Sequence, residues 1–374
     1  MEHLSEVVKI LDAALMHDPT KADAYGQLLA AKLEEDGQPR QARAVRSALS
    51  KVPASGISAS YVNAKLPVDA ENSLAVVDVT APEELAPTAL ALHPYVRSRV
   101  DEFLELVRLH DRWAADGVAG ANRLLIYGPP GTGKTSIAAL IASELKLPLV
   151  TSRSDALMSS LLGQTSRNLR SVFDYAVARP CVLFLDEFDA LAKSRNDSRE
   201  IGELQRVVIA LLQNIDALDL STIVIAATNH AQLLDPAVWR RFEFTLQVDL
   251  PGEGERAEIW RVHLGSLVPV EAELARLVQL SQGLSGAAIE LAAKDIRRGA
   301  IRDTTERVPL PVMLRRLARI RWFESTSRFD DDASEIAALR AWSPEVFTVR
   351  ALAELFSVST RQVTKAITKV HADA

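Results

Sequence analysis

The sequence predicts an α/β fold: a parallel sheet core with a small helical lid, an all-helical N-terminal domain and a helical C-terminal extension. Two observations carry this. From Leu124 to Leu250 short apolar runs alternate with helix-patterned runs, the signature of a parallel sheet. One of those runs, Leu124-Leu125-Ile126-Tyr127, opens onto Gly128-Pro129-Pro130-Gly131-Thr132-Gly133-Lys134-Thr135 and then onto the helix-patterned stretch Ser136-Ile137-Ala138-Ala139-Leu140-Ile141-Ala142. That is the pattern G-x-x-x-x-G-K-[ST] lodged between a strand and a helix, a P-loop.

Taken in order, residues 1–51 read as a helical domain. Leu4, Val7, Val8, Leu11, Ala14 and Leu15 recur at helical spacing, His17-Asp18-Pro19-Thr20 breaks the pattern, and further helices are expected from Ala22 to Glu35 and from Arg40 to Leu49. The alanine-rich pairing looks like a tetratricopeptide-type hairpin, with a plain helical cap as the alternative. Residues 52–90, with Pro53, Gly56 and Pro67, read as a linker, with a short strand at Val76–Val79. Within the α/β domain at 91–250, one long helix is expected from Pro94 to Ala115, then strands at Leu124–Tyr127, Leu149–Ser152, Val182–Asp186, Ile223–Thr228 and Phe244–Val248. A small helical lid at 251–305 and an extension at 306–374 complete the chain.

Composition narrows the function classes. The chain has 374 residues, 25% charged and 48% hydrophobic, and a formal charge of −6, which argues against wholesale non-specific binding of nucleic acid but leaves a local basic patch open. The single cysteine, Cys181, sits in an apolar run and reads as a buried structural thiol, which fits a reducing cytoplasm. No signal peptide and no apolar run of membrane-spanning length is evident, so no membrane association is expected.

The chemistry gathers at strand ends. The glycines of the P-loop let backbone N–H groups wrap a triphosphate, and the following helix adds positive potential from its N-terminus. Residues 128–136, Ser136 included, therefore form the expected ATP contact. Lys134 is expected to reach the β- and γ-phosphates, and the Thr135 hydroxyl to ligate Mg²⁺. Cys181-Val182-Leu183-Phe184-Leu185 ends in Asp186-Glu187. Asp186 is expected beside the Mg²⁺, and Glu187 polarises the attacking water. Asn229, after the run Ile223–Thr228, can bond the γ-phosphate or that water without adding charge, or simply turn the chain.

Leu234-Asp235-Pro236-Ala237-Val238-Trp239-Arg240-Arg241-Phe242-Glu243 follows. Together these motifs, in this order, resemble the AAA family of ATPases, in its AAA+ superfamily sense, over about residues 90–300. The resemblance implies that Asn229 holds the sensor-1 position. It implies that Arg241 is an arginine finger acting on a neighbouring subunit's γ-phosphate, with Arg240 the alternative; such fingers are worth about 10³–10⁵ in rate. Many members carry a second arginine where this chain has Phe244, so a two-arginine finger is not expected. Gln282-Gly283-Leu284-Ser285-Gly286-Ala287-Ala288-Ile289 resembles the family's sensor-2 segment, which implies that Gly286 and Ala287 lie near adenine. Leu161-Leu162-Gly163 falls where the family places a central-pore loop that grips an extended polypeptide, or else is a helix-connecting turn with buried leucines.

In the C-terminal extension, Arg315, Arg316, Arg319 and Arg321 among Leu314, Leu317 and Ile320 predict a basic amphipathic helix with a solvated face. Residues 347–370 resemble a helix-turn-helix, with Ala353 at the crossing, Val358, Val363 and Ile367 buried, and Ser357 where glycine is usual. If it binds DNA, Arg361, Gln362, Thr364 and Lys365 face the groove; otherwise it is a trihelical packing module. The function expected from all of this is an ATP-hydrolysing remodeller of protein substrates in a homo-oligomeric ring, a hexamer. The alternative is an ATP-switched DNA-binding protein. Resemblance further suggests bacterial ATPases that work with a separate subtilisin-like protease in defence against mobile DNA; this chain has no protease signature of its own.

Overall fold

A computed structural model describes residues 3–16, 18–49, 66–68, 75–85, 90–153, 162–189, 201–324 and 331–372. The chain forms two compact units. One takes in Met1–Thr88, Pro94–Pro129 and Gly133–Val248; the other takes in Ala89–His93, Pro130–Thr132 and Asp249–Ala374.

The first unit is built on a six-stranded sheet of β1 (Val77–Thr80), β2 (Arg123–Tyr127), β3 (Leu149–Ser152), β4 (Val182–Leu185), β5 (Ile223–Thr228) and β6 (Phe244–Gln247), in the spatial order β1-β3-β4-β5-β2-β6. All six correspond to strands the sequence predicts, β1 to the one expected at Val76–Val79, and the last five pair in parallel. Strands buried on both faces read as continuous apolar runs, and here β2, β4 and β5 are buried almost throughout. β1 joins antiparallel to β3, with Val77 opposite Ser152 and Thr80 opposite Leu149. A bridge between Val68 and Ala75 precedes it, and Val76 donates its N–H to Pro67 O at 2.9 Å.

The core of this unit joins Leu125, Leu183, Leu185, Val224 and Ala226 from the sheet to Leu169, Val172 and Phe173 of the Leu162–Val177 helix and to Leu211 and Ile215 of the Ile201–Asp216 helix. Cys181 is buried in it, and burial pushes its thiol up to about 12, so the expectation of an inert structural thiol holds.

The single helix expected from Pro94 to Ala115 is two, Pro94–Arg108 and His110–Ala115. The break at Leu109 has no proline or glycine to announce it. It sets Asp111 at the start of the second helix, where its carboxylate accepts the N–H of Ser5 at 3.2 Å. The N-terminal helices Leu4–Leu15, Pro19–Glu35 and Pro39–Leu49 stack in sequence, around Leu29, Leu33 and Ala42. Buried Glu6 is held by Lys32 at 2.6 Å, and Lys146 pairs with Glu35.

The second unit is helical: Glu253–Leu264, Glu271–Leu280, Gly286–Arg302, Leu310–Glu324, Asp332–Trp342, Val349–Phe356 and Thr360–Ala372. One buried cluster runs through all of it, from Trp260, Leu277 and Ile289 to Leu317, Leu339, Phe347, Leu352 and Val363. The basic helix is amphipathic as expected, with Leu314 and Leu317 buried and Arg319 exposed, but its arginines are paired: Arg315 and Arg319 both donate to buried Glu335, at 2.8 and 2.9 Å, and Arg316 pairs with Asp295 at 2.7 Å. A carboxylate that close to burial would be costly alone, and two guanidinium groups compensate it. Among the described residues no helix is long and apolar enough to cross a membrane.

Candidate active site

The C-terminal ends of β2, β4 and β5, neighbours in the sheet, bring the predicted residues together. β2 ends at Tyr127 and the chain turns at once through Gly128, with φ of 150°. A Cβ at this position would collide with the carbonyl oxygen of Val248, so only glycine fits. Gly133, at φ 91°, caps the Lys134–Glu144 helix from the left-handed region and leaves that helix's first N–H groups for a ligand.

Lys134 is buried, and its ammonium donates to the carbonyls of Gly128 at 2.9 Å and Pro129 at 2.8 Å. Burial pushes its pKa down, while Asp186 and then Asp189 pull the other way. The ammonium is thus held inside the loop it is expected to serve.

Thr135 Oγ1 donates to Asp186 Oδ2 at 3.0 Å. The other oxygen of Asp186, Oδ1, accepts the N–H of Glu187 at 2.8 Å. Glu187 is exposed and sits at φ 49°, a strained setting for a residue with a Cβ, of the kind that gathers at functional sites. Asn229, half-buried, follows the last residue of β5.

Sequence reasoning missed Asp189. Its Oδ1 accepts from Thr228 Oγ1 at 2.7 Å, and Thr228 Oγ1 in turn accepts the N–H of His230 at 3.0 Å. This chain of bonds ties the end of β4 to the turn that carries Asn229. The one signal in the sequence was a further carboxylate three residues after Asp186.

The residues present fit a magnesium nucleotide. A hydroxyl and a carboxylate 3.0 Å apart are hard oxygen donors beside a glycine-lined anion cradle. Among the described residues no cluster of three His, Cys, Asp or Glu side chains could hold a metal by itself.

Arg240 and Arg241 lie elsewhere. They precede β6, and β6 runs parallel to β2 with Phe244 opposite Leu124, so they sit by the strand's N-terminal end. Arg240 is exposed. Arg241 donates from Nε and Nη2 to the two oxygens of Asp216 and from Nη1 to Ala237 O at 2.9 Å. Both arginines line a cavity of about 210 Å³ with Arg123, Asp216 and Glu243. Phe244, where the resemblance expects a second arginine, packs inward: its ring lies 4.0 Å from the guanidinium of Arg99 and 5.7 Å from the ring of Phe103.

In the second unit Ala287 donates its N–H to Gly131 O at 3.0 Å, and the Ser285 hydroxyl caps the Gly286–Arg302 helix by accepting from Ala288. Gly286 is also close to Gly131 O. Gly286 and Ala287 therefore lie against Gly131, which belongs to the same unit. Of the expected pore loop, Leu162 and Gly163 begin the Leu162–Val177 helix, and Leu161 lies outside the described residues.

Residues 124–250 match the model of the ATPase family associated with various cellular activities (AAA). A protein of Sinorhizobium fredii described as "Uncharacterized AAA family ATPase y4kL" is 43% identical over 183 residues, 49% of this chain and 55% of that one. A proteasome-activating nucleotidase of Methanococcus vannielii is 33% identical over 199 residues, 51% of this chain and 49% of the relative. The 26S proteasome subunit RPT4 of Saccharomyces cerevisiae is 31% identical over 224 residues, 57% and 51% of the two chains. The chain spans about half the length of these curated relatives.

Proposed function

We propose that this chain, whose residues 124–250 carry an AAA family ATPase domain, is an ATP-hydrolysing motor that forms a homo-oligomeric ring, a hexamer in this reading, and remodels a protein threaded through it. The polarity of the sheet carries the reading. The P-loop leaves the C-terminal end of β2, whereas Arg241 precedes the N-terminal end of the parallel neighbour β6. About 13 Å of strand separates those ends. An arginine finger so placed serves a phosphate held by another copy.

In this reading Thr135 and Asp186 hold Mg²⁺, which when bound neutralises phosphate charge. Lys134 exchanges the Gly128 and Pro129 carbonyls for phosphate oxygens. Glu187 orients the attacking water, assisted by Asn229, and Arg241 or Arg240 of the neighbour stabilises the transferred group. Gly286 and Ala287 would lie near adenine. The start of the Leu162–Val177 helix, with Leu161, Leu162 and Gly163, would contact the substrate. Relatives named for activating the proteasome favour delivery of that substrate to a separate protease.

The test is a mixing experiment. Lys134→Ala and Arg241→Ala should each abolish turnover, and mixed rings of the two should recover part of it, because one interface type is then complete. Glu187→Gln should bind ATP and fail to turn it over. Inactivity that mixing never relieves would overturn the shared site, and wild-type turnover in Glu187→Gln would overturn the role given to that carboxylate.

A further inference from the structure

We propose that the last two helices of the chain form a binding surface for duplex DNA that works through phosphate contacts. The Val349–Phe356 helix ends on Ser357, which adopts φ 56° and ψ 39°. This is the left-handed conformation for which a glycine is the usual choice, and here a serine takes it. Val358 closes the turn with an N–H to Ala353 O at 3.0 Å, and the chain restarts as a helix at Thr360. Ala353, Val363 and Ala366 are buried, with Val358 and Ile367 partly so. The two helices thus join through their apolar sides across a three-residue turn, the arrangement of a helix-turn-helix.

The opposite side of the second helix is exposed at Arg361, Thr364, Lys365 and Thr368. Several arginines of this unit are engaged by carboxylates: Arg315 and Arg319 by Glu335, Arg316 by Asp295, Arg350 by Glu354. Among the described residues neither Arg361 nor Lys365 has an ion pair. Thr360–Ala372 contains no carboxylate, and Lys369 continues the series at the same spacing of four residues, about 6 Å along the axis. A helix with three cations and no acid, on a chain of net charge −6, is complementary to a polyanion.

The amide and hydroxyl side chains on this face are already occupied within the helix. Gln362 Oε1 accepts from the N–H and the hydroxyl of Ser359, both at 2.8 Å, as a helix cap. The hydroxyls of Thr364 and Thr368 donate to carbonyls one turn back, at 3.0 and 2.8 Å. Arg361 and Lys365 remain, and in the proposed mode they bond phosphates, contacts that position a duplex without specifying its sequence.

The full chain, without nucleotide, is titrated against a labelled 30-base-pair duplex by fluorescence anisotropy from 50 to 200 mM salt, lengths and concentrations of the order used for such contacts. Three phosphate contacts predict a log–log salt slope of about −2.7. The double variant Arg361→Ala, Lys365→Ala should weaken binding at least tenfold and reduce the slope by about 1.8, with its thermal melting unchanged. Scrambling the duplex sequence should change affinity little. Absence of binding at the lowest salt, equal binding by the double variant, or equally tight binding of a labelled polyglutamate would each overturn the proposal, the last pointing to an acidic protein instead. The measurement needs no ATP turnover, so its outcome is independent of the motor reading.

Discussion

Arg241 grips Asp216 with two nitrogens, Nε to Oδ1 at 3.1 Å and Nη2 to Oδ2 at 3.0 Å. Asp216 is the last residue of the Ile201–Asp216 helix, whose neighbours in the core reach the strands that carry Asp186 and Asn229. The guanidinium expected to act on a neighbour is therefore oriented from within its own chain.

Asp216→Ala should cost under about 1 kcal/mol of stability, because both partners are partly exposed. Its effect should fall on turnover, which should drop roughly 10–100-fold through loss of orientation. Arg241→Ala should lose about 10³-fold or more. Steady-state ATPase rates beside thermal melts separate the two effects. An Asp216→Ala protein with wild-type turnover would show that the pair only decorates the surface.

Phe244→Arg tests whether a second arginine can be restored. The ring at this position packs over Arg99 and against Phe103, so the new guanidinium would face a like charge. The melting temperature should fall and turnover should not rise. Phe244→Leu keeps much of the burial and should lose about 0.5–1 kcal/mol of cation–π attraction. Increased ATPase activity in Phe244→Arg would contradict this packing argument.

Glu335 gives a pH signature. Burial would raise its pKa, but hydrogen bonds from Arg315 and Arg319 more than offset that and hold it at about 2, below the ordinary 4.5. A lowered folded pKa stabilises the protein fully above the unfolded value and ceases to do so as pH falls through the folded one. The contribution is therefore complete above about pH 4.5 and fades towards pH 2. Glu335→Gln should cost about 3 kcal/mol at pH 7 by leaving two arginines without their anion. The gap between variant and wild type in urea melts should narrow below pH 4.5.

Cys181 should resist thiol reagents in the folded protein at pH 8, since burial holds its thiol near 12. One thiol per chain should react after denaturation. Rapid labelling of the native protein would place Cys181 outside the core.

Much of the candidate site was legible because its parts are local. The P-loop glycines, the carboxylate pair after β4 and the polar end of β5 each follow an uninterrupted apolar strand, and a parallel sheet gathers such ends on one side. What escaped reading depends on distant partners. Asp189 gains its place only by meeting Thr228, 39 residues on. The charge on Arg315 and Arg319 is consumed by Glu335, across a segment whose path the sequence does not state. Leu109 breaks a helix without any residue that breaks helices by itself.

β1 has a practical consequence for dissecting the molecule. The match to the ATPase family begins at residue 124, yet the sheet starts with Val77. A fragment cut at residue 91 would strip β3 of its antiparallel cover and leave Leu149–Ser152 as a raw edge, ready to pair with any strand it meets. Val76 and Val77, wholly buried, would be missing from the core as well. The last part of the stretch that reads as a linker is thus a strand of the sheet, and a well-behaved fragment of the α/β domain should begin ahead of Val76.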